Sequence, residues 1–218
     1  MGANRTRVLI VTAVESEQLA IERGIGGDPR FDVIAAGGGA VAAAVKTAVR
    51  LSAGDYGLVI SAGIGGGFRE RAGLESVVVG TEAVAADFGA ETPDGFSSVE
   101  ELGFGRSRFP ADSGRSARFA EALQSAGIPA VMGPVITVNT ATGSEATAAA
   151  LRQRVPDAAA EAMEGFGVAA AAAEFGLPFM EVRAVSNLVG LRRRETWRIR
   201  EALQQLEKAS SILREVLT

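Results

Sequence analysis

Residues 7–51, RVLIVTAVESEQLAIERGIGGDPRFDVIAAGGGAVAAAVKTAVRL, decide the fold. An apolar run at 7–13 is followed from about Glu15 by a helix-like stretch, then by a second apolar run at 31–36 and an alanine-rich helix over 40–51. Strand-length runs alternating with helix-length runs are the spacing of successive βα units. The runs are apolar without alternation, as in a sheet covered on both faces. The pattern continues outward with strands at 58–62 and 76–86, a helix over 116–126, a strand at 131–139 and a helix over 144–154. A further helix covers 165–174, the last strand covers 179–186, and an amphipathic helix from about Glu195 to Val216 closes the chain. In that helix Trp197, Leu203, Leu206 and Ile212 recur at helical spacing. Residues 87–110, DFGAETPDGFSSVEELGFGRSRFP, are too long for an ordinary connection and too aromatic for a linker, which points to a lid or binding loop. No repeat or internal boundary is visible, so residues 1–218 are expected to form one α/β domain.

Composition removes several chemistries. The 218 residues include no cysteine and no histidine. Disulfides, thiol nucleophiles, His- or Cys-based metal sites and Ser-His-Asp triads are therefore excluded. Acid–base work falls to carboxylates, lysine, bound water or the single tyrosine, Tyr56. A net charge of -4 gives no electrostatic footprint for nucleic acid or an anionic membrane. The amino-terminal apolar run is short and meets Glu15 and Glu17 at once, unlike a signal peptide. No stretch approaches the roughly 20 apolar residues of a membrane span. A cytoplasmic protein is expected.

Parallel sheets bind ligands beyond the carboxyl ends of their strands. Four features stand there: Glu17 after the first strand, Gly63 to Gly67 after the third, Glu164 where AEAME turns into a helix, and Asn187 at the end of the last strand. Glu17 also suits a helix first turn, where an acid complements the dipole. The glycine run suits either a tight turn or a nest of backbone N–H groups. Gly37, Gly39 and Ala42 match a dinucleotide-binding G-x-G-x-x-A pattern, but the second strand lacks a ribose-binding acid at its end. Glu164 and Asn187 are expected to be semi-buried, where polar groups need partners, either structural or from a ligand.

These residues lie in segments with a family resemblance: VLIVTAVESE, GGGAVAAA, VISAGIGGGF, VAADFGAETPDGF, ELGFG, ITVNTATG, EAMEGFGVA and VRAVSNLVG. In order and spacing the chain resembles the nucleoside phosphorylase and nucleosidase superfamily over essentially its whole length, and within it most nearly the futalosine hydrolases of alternative menaquinone synthesis. The resemblance implies a three-layer α/β/α domain around a central mixed, twisted sheet, assembled as a homo-oligomer, dimer or larger, and working without metal or organic cofactor. It implies that Glu17 activates the attacking water and that Met163 and Glu164 bind the ribose. It also implies that Gly63, Gly65 and Gly66 belong to a loop beside the nucleophile. Asn187 occupies the place where adenine-specific relatives carry an aspartate.

The chemistry suits those residue types. Cleavage of an N-glycosidic bond passes through a cationic, oxocarbenium-like sugar, so a water nucleophile, negative charge near the ribose and help for the departing purine are needed. Glu17 as base and Glu164 as acceptor of ribose hydroxyls meet the first two needs. An amide at 187 can accept from a protonated N7 and donate to O6, which selects a 6-oxopurine and gives hypoxanthine as product. Asparagine is no acid, so the N7 proton arrives through water or another group. The carboxylates of TAVESE would repel phosphate, favouring hydrolysis over phosphorolysis. Arg69 and Arg71 read as a solvated loop face. Arg192, Arg193 and Arg194 form either a solvated basic turn or a contact for the substrate's benzoate. Phe88, Phe96 and Phe104 are candidates for base stacking or subunit contact. Other functions in view are a phosphorylase, an adenine-type nucleosidase, a silent nucleoside sensor and a nicotinamide-binding protein.

Overall fold

A computed structural model describes residues 7–217, so residues 1–6 and 218 of the expected domain lie outside the described part. The elements follow the βαβα expectation. They are β1 (Val8–Thr12), α1 (Glu15–Ile25), β2 (Phe31–Ala35), α2 (Ala40–Ser52), β3 (Leu58–Gly67), β4 (Val77–Ala85), β5 (Gly89–Thr92), β6 (Gly95–Ser98) and β7 (Arg108–Pro110). After these come α3 (Ser113–Ser125), β8 (Ala130–Thr137), α4 (Glu145–Arg154), β9 (Ala160–Ala162), α5 (Gly165–Glu174), β10 (Phe179–Leu188) and α6 (Ile199–Val216).

The sheet is mixed. β2, β1, β3 and β10 run parallel, while β4 lies antiparallel to β10. β8 pairs parallel with β4, and the short β9 joins β8 to the far end of β3. Strands β3, β10, β4, β8 and β9 thus close a ring, with β1 and β2 extending from it.

Both faces are covered, as the unbroken apolar strands require. Val8 and Ile10 of β1 pack into the core made with α1, α3 and α6, whereas Leu9 and Val11 face the core made with α2 and α5. That split is the period-2 alternation of a strand, with apolar residues on both sides. α5 lies close on the start of α2 because residue 167 is glycine. A Cβ there would stand 2.0 Å from the carbonyl oxygen of Ala40. No helix among the described residues is long and apolar enough to cross a membrane.

Three differences from the sequence-based expectation bear on function. β3 does not stop at Ala62 but runs through the glycines to Gly67. β9 went unrecognised because three residues are too few to show a period. The last helix starts at Ile199 rather than near Glu195. Residues Arg194–Thr196 form a 3₁₀ turn, and Trp197 is extended, with the guanidinium groups of Arg192 and Arg194 4.8 and 5.9 Å from its ring centroid.

Candidate active site

β3 changes partners along its length. It pairs with β1 from Leu58 to Ser61 and with β9 at Gly66 and Gly67, while β10 accompanies it on the other edge. Between those limits the Ile64 N–H is taken by a side chain: it donates to Glu17 Oε1 at 2.9 Å. The other oxygen, Oε2, accepts from the N–H groups of Ala13 and Val14 at 3.0 and 3.2 Å, capping α1 from its first turn. Glu17 therefore serves the helix end with one oxygen and reaches the sheet with the other. It is only 3% exposed. Burial pushes its carboxyl above the ordinary value, the Ile64 hydrogen bond and Arg183 oppose that rise, and Glu164 adds to it.

Glu164 arrives from the opposite direction. β9 runs antiparallel to β3 with Glu161 opposite Gly66, ends at Ala162, and two residues later Glu164 caps the turn into α5. Its Oε1 accepts from the Gly39 N–H at 3.1 Å, and its Oε2 lies 3.3 Å from the Met163 nitrogen and 3.4 Å from Arg183 Nη1. The donor that a dinucleotide phosphate would use in the GGGAVA turn is thus given to a carboxylate, which argues against the nicotinamide alternative.

Arg183 bonds to one of these acids, Glu164, and acts on the other, Glu17, through its charge. It sits on β10 directly opposite Gly63 and is 1% exposed. Nε donates to Glu181 Oε1 at 3.0 Å, Nη2 to Ser61 Oγ at 2.7 Å and Nη1 to Glu164. Arg183 and Glu181 were not singled out in the sequence. Their signal was present: two charges, two residues apart, in the apolar run FMEVRAV share one face of a strand and must be paired when buried. Glu161 is a further buried carboxylate, satisfied by the backbone N–H and hydroxyl of Thr142.

The glycines at Gly63, Gly65 and Gly66 are not a loop beside the nucleophile but part of β3, and their reason is close approach. A Cβ on Gly63 would stand 2.6 Å from Glu17 Oε1 and 2.9 Å from Arg183 Nη1. Gly63→Ala is expected to cost only about 1–3 kcal/mol of stability, because the atoms it meets are side-chain ends. Turnover should fall by roughly tenfold or more, since the displaced carboxylate leaves its hydrogen bonds. Steady-state kinetics beside chemical denaturation separate the two effects.

Asn187 lies four residues beyond Arg183 on β10, after a bulge that sets it opposite Gly66. Its partner on β3 lies three residues beyond Gly63, so at a rise of about 3.3 Å per residue it stands roughly 10 Å up the strand. Its Oδ1 accepts from Ser186 Oγ at 2.9 Å, and its amide nitrogen is 3.4 Å from the carbonyl oxygen of Leu188. It shares no hydrogen bond with Glu17 or Glu164 among the described residues. The structure therefore brings the two acids together and leaves the amide half-buried at a distance.

Residues 18–218 match the sequence profile of the Phosphorylase superfamily. A futalosine hydrolase of Streptomyces coelicolor is 50% identical over 194 residues, covering 86% of this chain and 80% of the relative. One from Acidothermus cellulolyticus is 42% identical over 218 residues, covering 94% and 89%. The chain belongs to the futalosine hydrolase family of the phosphorylase superfamily. A 5′-methylthioadenosine/S-adenosylhomocysteine nucleosidase of Neisseria meningitidis, solved with methylthio-immucillin-A, shares the fold with a TM-score of 0.83 at 20% identity, over 96% of this chain and 99% of that one.

As a member of the futalosine hydrolase family the chain is an N-glycosyl hydrolase. The superfamily profile begins one residue after Glu17. The case for Glu17 rests on its bond to the Ile64 N–H and on its place over Gly63 beside the charge of Arg183.

The aromatic candidates of residues 87–110 disperse within this futalosine hydrolase family fold. Phe104 is 82% exposed in a turn and packs on no other ring among the described residues. The polar turns at 99–105 carry it outward. Phe96 lies on the β5–β6 hairpin beneath the guanidinium of Arg154, 3.9 Å from its ring centroid. Phe88 packs edge-on against Phe166, which follows Gly165 at the head of α5 and also touches Phe109. Phe166 went unrecognised because a phenylalanine in an apolar helix reads as core. Tyr56 donates to Asp32, a carboxylate that also pairs with Arg50, and so makes no contact with the two acids.

Proposed function

We propose that this chain hydrolyses the N-glycosidic bond of futalosine and releases hypoxanthine. One observation carries the proposal: carboxylates from α1 and from the head of α5, 147 residues apart in the chain, come to one buried guanidinium, which bonds Glu164 through Nη1 and shares the space over Gly63 with Glu17 Oε1. Glu17 Oε1 is then the base that takes a proton from the attacking water, and its burial suits that role by raising its proton affinity. Glu164, steadied by Gly39 and Met163, accepts hydrogen bonds from the ribose hydroxyls and favours positive charge developing on the sugar. Asn187, higher on β10, faces the base end and discriminates oxygen from nitrogen at purine C6. Its separation from the acids matches a ligand with sugar at one end and base at the other.

The protein incubated with futalosine in phosphate-free buffer should release hypoxanthine, followed by chromatography. Strict dependence on added phosphate would instead make it a phosphorylase. Asn187→Asp is expected to move the kcat/KM preference toward 6-aminopurine nucleosides by about tenfold or more, since a mismatched buried donor costs about 1–3 kcal/mol. An unchanged preference removes Asn187 from base selection. A homo-oligomer fits the stripe of Val41, Val45 and Val49, 76%, 57% and 62% exposed along one face of α2. Sedimentation should give a species larger than one chain, and Val45→Glu should dissociate it.

A further inference from the structure

Glu181 is a fully buried carboxylate for which neither the fold nor the two working acids give a reason. It precedes Arg183 by two residues on β10, so strand geometry places both side chains on one face. Its Oε1 lies 3.0 Å from Arg183 Nε and 2.9 Å from Nη2, while Oε2 meets no donor among the described residues. Two neighbouring elements are trimmed to admit it. A Cβ on Gly165 at the head of α5 would stand 2.1 Å from Oε1, and a Cβ on Gly80 of β4 would stand 3.0 Å from the Glu181 Cβ. Apolar residues at both 181 and 183 would cost no more to bury than this ion pair, so stability alone does not account for the two charges.

The guanidinium shows what it does. With Nε and Nη2 committed to Glu181, and Nη2 also to Ser61, the plane of Arg183 is set and Nη1 is left facing Glu164 and the Gly63 position where Glu17 lies. We propose that Glu181 is a positioning residue for the hydrolysis: from beneath Arg183 it fixes the guanidinium that bonds Glu164 and sets its positive charge beside Glu17. This rests on those two residues being the working acids.

Among the described residues, the charged groups facing Glu181 are Arg183 on its own strand and Glu164 at the head of α5; β3 presents Ser61 and β4 presents Gly80. Burial pushes its carboxyl up to about 7, against the pull of Arg183. Its ionisation adds negative charge below a site where the sugar becomes cationic, so kcat/KM should rise through neutral pH.

The test uses three variants of the whole chain with futalosine in phosphate-free buffer. Glu181→Leu, which leaves Arg183 without its anchor, should lose kcat by about 10²-fold with KM changed by less than about threefold. Glu181→Gln, which keeps an acceptor for Arg183, should restore kcat at about pH 6 but lose the rise of roughly tenfold that wild type shows up to about pH 8. Wild-type kcat in Glu181→Leu, or a Glu181→Gln pH profile that overlays wild type, overturns the proposal. The Gln profile decides the matter even if the Leu variant fails to fold. Glu17→Gln is the control: full activity there defeats the assignment of the working acids, whereas an inactive Glu17→Gln beside silent Glu181 variants defeats only the role of Glu181.

Discussion

Glu17→Gln should lose about 10²–10⁴ in kcat while still binding the nucleoside. The amide matches the carboxylate in size but cannot take a proton from water. In wild type, kcat/KM should fall on acidification as Glu17 takes up a proton, and burial places that fall above the ordinary 4.5 of a glutamic acid. The part of the fall that belongs to Glu17 should vanish in the variant, leaving the rise through neutral pH that belongs to Glu181. A stability cost accompanies the change, because the two oxygens of Glu17 accept three backbone N–H groups, from Ala13, Val14 and Ile64. Glutamine has one acceptor oxygen and must turn an NH₂ toward one of those donors, at about 1–3 kcal/mol. Calorimetric titration with hypoxanthine beside turnover separates lost chemistry from lost folding. Turnover near wild type would remove Glu17 as the base.

Arg183→Met should have the larger effect on folding. Removing the guanidinium leaves the buried Glu17, Glu164 and Glu181 without their common counter-charge, and breaking a buried pair in this way costs about 3–5 kcal/mol. Activity should be lost with it. The pH dependence has a definite sign. Without Arg183, Glu17 and Glu181 hold protons in the folded state more strongly than in the unfolded chain, so folding is favoured at low pH and weakened as pH rises through their raised values. The deficit against wild type should therefore be greatest at alkaline pH and shrink toward acid. Urea midpoints measured across that range give the answer directly, and a deficit within about 1 kcal/mol at every pH would show that the cluster is not held by its arginine.

Much of the architecture was legible along the chain because strand and helix periods are local. β1, α1, β2 and α2 fall within a residue or two of the runs in 7–51, and α5 begins at Gly165 and ends at Glu174, as its composition indicates. Local patterns were less informative at the ring. Three residues of β9 carry no period, and the glycines of β3 look like a loop until β10 and β9 are seen beside them. α6 starts at Ile199, later than the apolar spacing through Trp197 indicates, because Trp197 is extended and lies beside the guanidinium groups of Arg192 and Arg194.

What the sequence determined by itself was a sheet covered on both faces, chemistry confined to carboxylates by the lack of histidine and cysteine, and two glutamates at strand-to-helix junctions. The tertiary structure alone decided that Arg183 bonds Glu164 and lies beside Glu17, that Glu181 stands beneath it, that Phe104 is exposed, and that Asn187 lies farther up β10. The physical reason is that a buried charge is defined by its counter-charge, and the groups that neutralise Glu17 and Glu164 are supplied by β10, whose place beside β3 is set by the register of the sheet rather than by any neighbouring residue in the chain.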